Sequence, residues 1–132
     1  MAVSVCLLIL GIASYSWAAM NGSEYELKAT KKHPQAKGTA LISVTDISIQ
    51  ARGLKPDSVY TVWFVNMKPK KHESGAGQAP YMFKTDTNGY GSYSSPLNAS
   101  PVGRWQMVMI VLHPNGDPKN MKNMVGALVA NL

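Results

Sequence analysis

Val59-Tyr60-Thr61-Val62-Trp63-Phe64-Val65-Asn66 is the stretch on which the fold turns. In an extended chain successive side chains point to opposite faces. Tyr60, Val62 and Phe64 then share one face, and Val59, Thr61, Trp63 and Val65 share the other. β-branched and aromatic residues fill the run, and both faces are apolar. That pattern predicts a central strand with one side in the core and the other partly covered. Just before it, Gly53-Leu54-Lys55-Pro56-Asp57-Ser58 predicts a turn, since glycine and proline set the backbone angles a reversal needs.

Working outward, short strands alternate with turn chemistry. Upstream, Tyr25–Ala29 alternates weakly, followed by Gly38–Val44 and by Ile47–Ala51, whose Ile47, Ile49 and Ala51 share a face. Downstream, Tyr81–Thr85 and Tyr90–Ser94 flank Asp86-Thr87-Asn88-Gly89. Asn-Gly between two alternating runs is a hairpin signal, because both residues tolerate positive φ. Arg104–Leu112 reads as a second apolar strand, with Met107 and Met109 expected to face the core. His113-Pro114-Asn115-Gly116-Asp117-Pro118 ends it. Met124–Leu132 leans to a last strand, a short helix being the alternative. Seven to eight short strands and no long amphipathic helix predict an all-β, antiparallel two-sheet sandwich over residues 38–132. A basic segment with a candidate edge strand, residues 19–37, precedes it.

The run Gly53-Leu54-Lys55-Pro56-Asp57-Ser58-Val59-Tyr60-Thr61-Val62-Trp63 resembles the turn-plus-strand of immunoglobulin-like and fibronectin-type-III-like modules, where a Leu-x-Pro turn precedes an inward tyrosine. Phe83–Gly91 resembles a hairpin of small exported bacterial β-sandwich domains. The resemblance implies an immunoglobulin-like sandwich and brings no active site with it. The order of elements and the His113-Pro114 to Asp117-Pro118 stretch also resemble copper–zinc superoxide dismutase-like sandwiches. That family's clustered copper ligands are missing, because the chain has no His-x-His pair. That activity is therefore not expected.

The N-terminus sets the expected destination. Met1–Ala18 carries no charge, and Val5–Ala13 is an apolar run too short to cross a bilayer as a helix. With Ser16-Trp17-Ala18 supplying small residues before a cleavage point at Ala19, residues 1–18 read as a secretory signal peptide, although the usual basic n-region is absent. The expected location is exported, periplasmic or extracellular, with no transmembrane span in the mature chain. Cys6, the one cysteine, lies within this leader. Val3-Ser4-Val5 is a poor match to the residues that precede a lipidated cysteine. The mature chain thus has no disulfide to rely on, and no thiolate for a blue-copper centre, an iron–sulfur cluster or a cysteine-ligated zinc site.

A net charge of +6 falls wholly on the mature chain. Lys28, Lys31, Lys32 and Lys37 form one group, and Lys68, Lys70 and Lys71 another. This balance favours salt-sensitive contact with a polyanion, while solvated loop lysines are the plainer reading. Neither group interleaves aromatic residues, so nucleic acid is not an expected partner. The expected partner is a protein or a cell-surface polyanion.

Catalytic constellations are scarce. The seven carboxylates fall mostly in predicted turns, with no pair spaced as an acid–base dyad, and no Gly-x-Ser-x-Gly elbow occurs. Gly75-Ala76-Gly77 reads as a flexible loop. No catalytic residue is assigned, and the expectation is a non-catalytic binding or assembly module. One alternative rests on soft ligands: of eight methionines seven remain if cleavage follows Ala18, many for this length, and thioether with imidazole suits Cu(I). In that reading a small periplasmic copper-binding protein would use His72, His113, Met67, Met82, Met121 and Met124. Against it, methionine most often fills core gaps. His113 at a strand end equally suits a bond to a turn carbonyl, and His33 in its lysine-rich loop reads as solvated.

Overall fold

The computed structural model describes residues 22–132. The signal peptide read in residues 1–18, its cleavage point and Cys6 lie outside the described residues. Nine strands are formed among those described: β1 (Ser23–Ala29), β2 (Lys37–Ile42), β3 (Asp46–Arg52), β4 (Val59–Asn66), β5 (His72–Gly75), β6 (Met82–Lys84), β7 (Gly91–Pro96), β8 (Met107–His113) and β9 (Val125–Asn131). Every pairing is antiparallel.

The expected two-sheet, immunoglobulin-like sandwich is not what forms. The strands make one strongly curled sheet, a half-barrel, in the order β5-β4-β8-β9-β1-β2-β3-β7, with β6 pairing a further stretch of β4. The strand that overturns the sandwich is β1. Its first part, Ser23–Leu27, pairs with β2, while Lys28 and Ala29 pair with β9. What would have been two facing sheets is therefore stitched into one. Far from lying at an edge, β1 is hydrogen bonded on both sides.

The concave side holds the core. Tyr60, Val62 and Phe64 of β4 meet Val108, Ile110 and Leu112 of β8 there, as do Ile47 and Ile49 of β3. Alternation thus placed the β4 and β3 faces as expected. On β8 it did the reverse: Met107 and Met109 stand half-buried on the convex side. The two sets of β8 are equally apolar, so only the neighbours decide which turns inward. Val59, Val65 and Val111 are buried on the convex side, apart from the main cluster. The second face of β4 is indeed covered in part.

Two local features differ from expectation for tertiary reasons. His72–Gly75 has no strand composition, yet it pairs with Trp63–Asn66 because β4 offers an open edge there. Gly75 is needed in that strand, since a Cβ would lie 2.2 Å from the Tyr81 ring, which leans on Trp63 at 5.5 Å between centroids. Ala76 is fully buried, donates its amide to the Val62 carbonyl and receives the Tyr93 hydroxyl on its own carbonyl. The Gly75–Gly77 stretch is thus a fastened strap rather than a loose loop. A turn forms at Asp86–Gly89, with Gly89 alone at positive φ, but the expected hairpin does not: β6 pairs with β4 and β7 with β3, so the turn carries the chain from one edge of the curled sheet to the other. Asp86 organises it, its Oδ1 accepting the amides of Asn88 and Tyr90.

Candidate functional site

Antiparallel pairing sends the turns to two opposite ends of the sheet. One end collects the segments 30–36, 53–58, 85–90 and 114–124. That placement brings Lys31, Lys32 and Lys37, already neighbours in the chain, together with Arg52, Lys55 and Lys84. The second lysine group, Lys68–Lys71, lies at the opposite end, beyond Asn66 of β4.

At the basic end Lys37 opens β2 and Arg52 closes β3, directly opposite one another in register. Side chains paired in this way share a face, and like charges so placed weaken a sheet by roughly 0.2–1 kcal/mol. Both side chains are exposed. Together with Lys28 and Lys84 they line an open hollow of about 1300 Å³. Its acidic members are Glu26, Asp57 and Asp86, the last already holding the amides of its own turn. Tyr90, 54% exposed, stands on the rim. Tyr93, three residues on, faces the other way and is buried, so this pair divides between solvent and core as its spacing requires.

The floor beside this hollow is rigid. The Tyr60 hydroxyl, fully buried, accepts the Lys55 amide at 2.8 Å and is hydrogen bonded to His33 Nε2 at 3.1 Å. Burial raises the Tyr60 pKa, with the Lys55 amide opposing it. Thr85 Oγ1 accepts the Ser58 amide and donates to the Lys55 carbonyl, tying the 53–58 turn to β6. His33 is not simply solvated. Its Nδ1 is buried and unpartnered among the described residues, and burial lowers its pKa. A smaller hollow of about 350 Å³ lies beside it, flanked by Lys32 and Lys55.

The soft-ligand residues are not brought to one place. His72 lies opposite Asn66 and His113 opposite Val59, at the two ends of β4. Seven residues of strand separate them, roughly 24 Å at 3.4 Å per residue. Met67, exposed, follows β4 at the His72 end. Met121 and Met124 lie in the 114–124 segment near His113, and Met82 pairs with Thr61. His113 is fully buried with both ring nitrogens engaged. The Asn120 carbonyl can only accept, so Nδ1 carries the proton and donates to it at 3.0 Å. Nε2 then accepts the Thr61 hydroxyl at 2.7 Å, and Thr61 Oγ1 accepts the Trp63 indole N–H at 2.7 Å. His113 is a clip for the 114–124 segment, as a turn-carbonyl role foresaw. None of Met67, Met82, Met107, Met109, Met121 and Met124 is buried, so gap-filling in the core does not account for them.

Arg52, Lys55 and Lys84 escaped the sequence reading because each stands alone in the chain. The meeting of Lys37 with Arg52 follows from the register of one hairpin: with Ile42 opposite Ile47, five residues outward along each strand set the two opposite. Comparison of the chain with protein-family models, with curated proteins and with solved structures finds no match.

Proposed function

We propose that this protein is an exported, non-catalytic binding module that docks an acidic cell-surface polysaccharide on its basic end. One observation carries the reading: Lys37 and Arg52 held directly opposite, at the lip of an open hollow that Lys28 and Lys84 also line. A sheet tolerates such a pair at a cost in stability, and a polyanion bridging both cations would reverse that cost. Lysine and arginine at the ends of neighbouring strands suit a chain of repeated negative charges better than a single small anion. The leader read in residues 1–18 supports export, and the turn-bound Asp86 supports a binding role over acid–base work.

Heparin titrated calorimetrically into the mature protein at several salt concentrations tests this. The expected result is binding that weakens as salt rises, and that falls at least tenfold in the Lys37→Glu/Arg52→Glu variant with an unchanged melting curve. Equal affinity of variant and wild type, or no binding at low salt, would overturn it.

A further inference from the structure

The end opposite the basic hollow has its own character. Val44, Met67 and Val102 are 68%, 51% and 49% exposed, three of the five large apolar side chains most open to solvent among the described residues. Each belongs to a different connection, β2–β3, β4–β5 and β7–β8, and all three connections lie at this end. Singly exposed apolar residues need no explanation, but three gathered at one end of a sheet do.

The connections are tied into a continuous surface. The Leu97 amide donates to the Thr45 carbonyl at 2.8 Å, fastening the β7–β8 connection to the β2–β3 turn. At its other end Gln106 grips the β4–β5 connection. Its Oε1 accepts the amides of Met67 at 2.6 Å and Lys68 at 3.2 Å, and its Nε2 donates to the Lys68 carbonyl at 2.9 Å. Asn66 Nδ2 adds a bond to the Arg104 carbonyl at 3.0 Å. Apolar tips are thus held in place, and the basic side chains beside them are Lys68, Lys70, Lys71 and Arg104. Three exposed carboxylates stand at this end, Glu24, Glu73 and Asp46, the last accepting the Ser43 and Thr45 hydroxyls.

We infer that this end is a membrane-docking surface: Val44, Met67 and Val102 enter the headgroup layer of an anionic bilayer while Lys68, Lys70, Lys71 and Arg104 pair with its headgroups. The chemistry matches on both counts. Short apolar side chains at loop tips gain by leaving water, and lysines beside them are drawn by a negative surface potential. No helix among the described residues is long and apolar enough to cross a membrane, and the inferred contact is one of strand connections lying on the surface. The two ends of the sheet then have separate tasks, and this one does not rest on polysaccharide binding.

Flotation of the mature protein with vesicles of phosphatidylcholine alone, and of phosphatidylcholine with phosphatidylglycerol, tests the surface. Binding is expected only to the anionic vesicles, whose negative surface potential draws the lysines. Lys70→Ala and Lys71→Ala should each weaken it about fivefold. Met67→Asp/Val102→Asp should abolish flotation while leaving heparin affinity unchanged. If instead Lys37→Glu/Arg52→Glu removes vesicle binding and Met67→Asp/Val102→Asp does not, lipid is merely another polyanion for the basic hollow and the inference fails. It fails equally if neither vesicle binds.

Discussion

Thr61 Oγ1 lies 2.7 Å from His113 Nε2, and both side chains are wholly buried on the convex side of the sheet. Because Asn120 fixes the tautomer of His113, the hydroxyl must donate to the ring while it accepts the Trp63 indole N–H. The three bonds run in one direction and leave no group unsatisfied.

Removing the hydroxyl breaks that chain at its middle. Thr61→Val keeps the volume but leaves the buried His113 Nε2 and the half-buried Trp63 Nε1 without their shared partner. Each unsatisfied buried group costs about 1–3 kcal/mol, so unfolding free energy should fall by about 2–4 kcal/mol in denaturant titrations. Thr61→Ser should recover most of it. A loss below about 0.5 kcal/mol in the valine variant would show that the network contributes little.

His33 makes stability depend on pH. Burial holds its folded pKa below the ordinary 6.5, so the unfolded chain binds the proton more readily. The contribution is therefore complete above pH 6.5 and is lost as pH falls through the folded value. Unfolding free energy measured downward from pH 7 should decline in wild type. In His33→Gln, which has no proton to gain, that part of the decline should vanish. Matching profiles would refute this origin.

Gly75 makes room for an aromatic ring. A Cβ there would lie 2.2 Å from Tyr81, whose own φ of 62° holds it in the left-handed region and leaves it little freedom to adjust. Gly75→Ala should cost about 1–3 kcal/mol, as overpacking does, and should change the near-ultraviolet dichroism of the Trp63–Tyr81 pair. An unchanged spectrum would mean that the ring moves without penalty.

Gln106 acts as a strand for a loop that has none. Gln106→Ala deletes its bonds to the Met67 amide, the Lys68 amide and the Lys68 carbonyl. Hydrogen exchange at the two amides should speed markedly, while exchange in β4 stays slow. The melting temperature should drop by about 5 °C for each kcal/mol lost. Unaltered exchange would show that the connection is held by other contacts.

How far the residues alone disclosed this protein follows from which interactions are local. Val59–Asn66 declared itself a two-faced strand, and the turn before it holds an inward Tyr60, because alternation and turn chemistry act over a few residues. The pairing of strands distant in the chain is not written in any one of them. Ser23–Ala29 has only weak alternation, yet its double pairing with β2 and β9 converts an expected sandwich into a half-barrel. His72 and His113 look like partners until register places them at opposite ends of β4. Met107 and Met109 alternate as well as their neighbours do, and only the packing against β4 turns Val108 and Ile110 inward instead. Alternation and turn chemistry by themselves determined an all-β chain, and composition made it basic and apolar enough to bury a core. Tertiary structure decided which charges meet: Lys37 faces Arg52 because a hairpin folds them together. That hairpin is local, but Lys84 joins the pair only through long-range closure of the curled sheet, for which a strand's own residues carry no code.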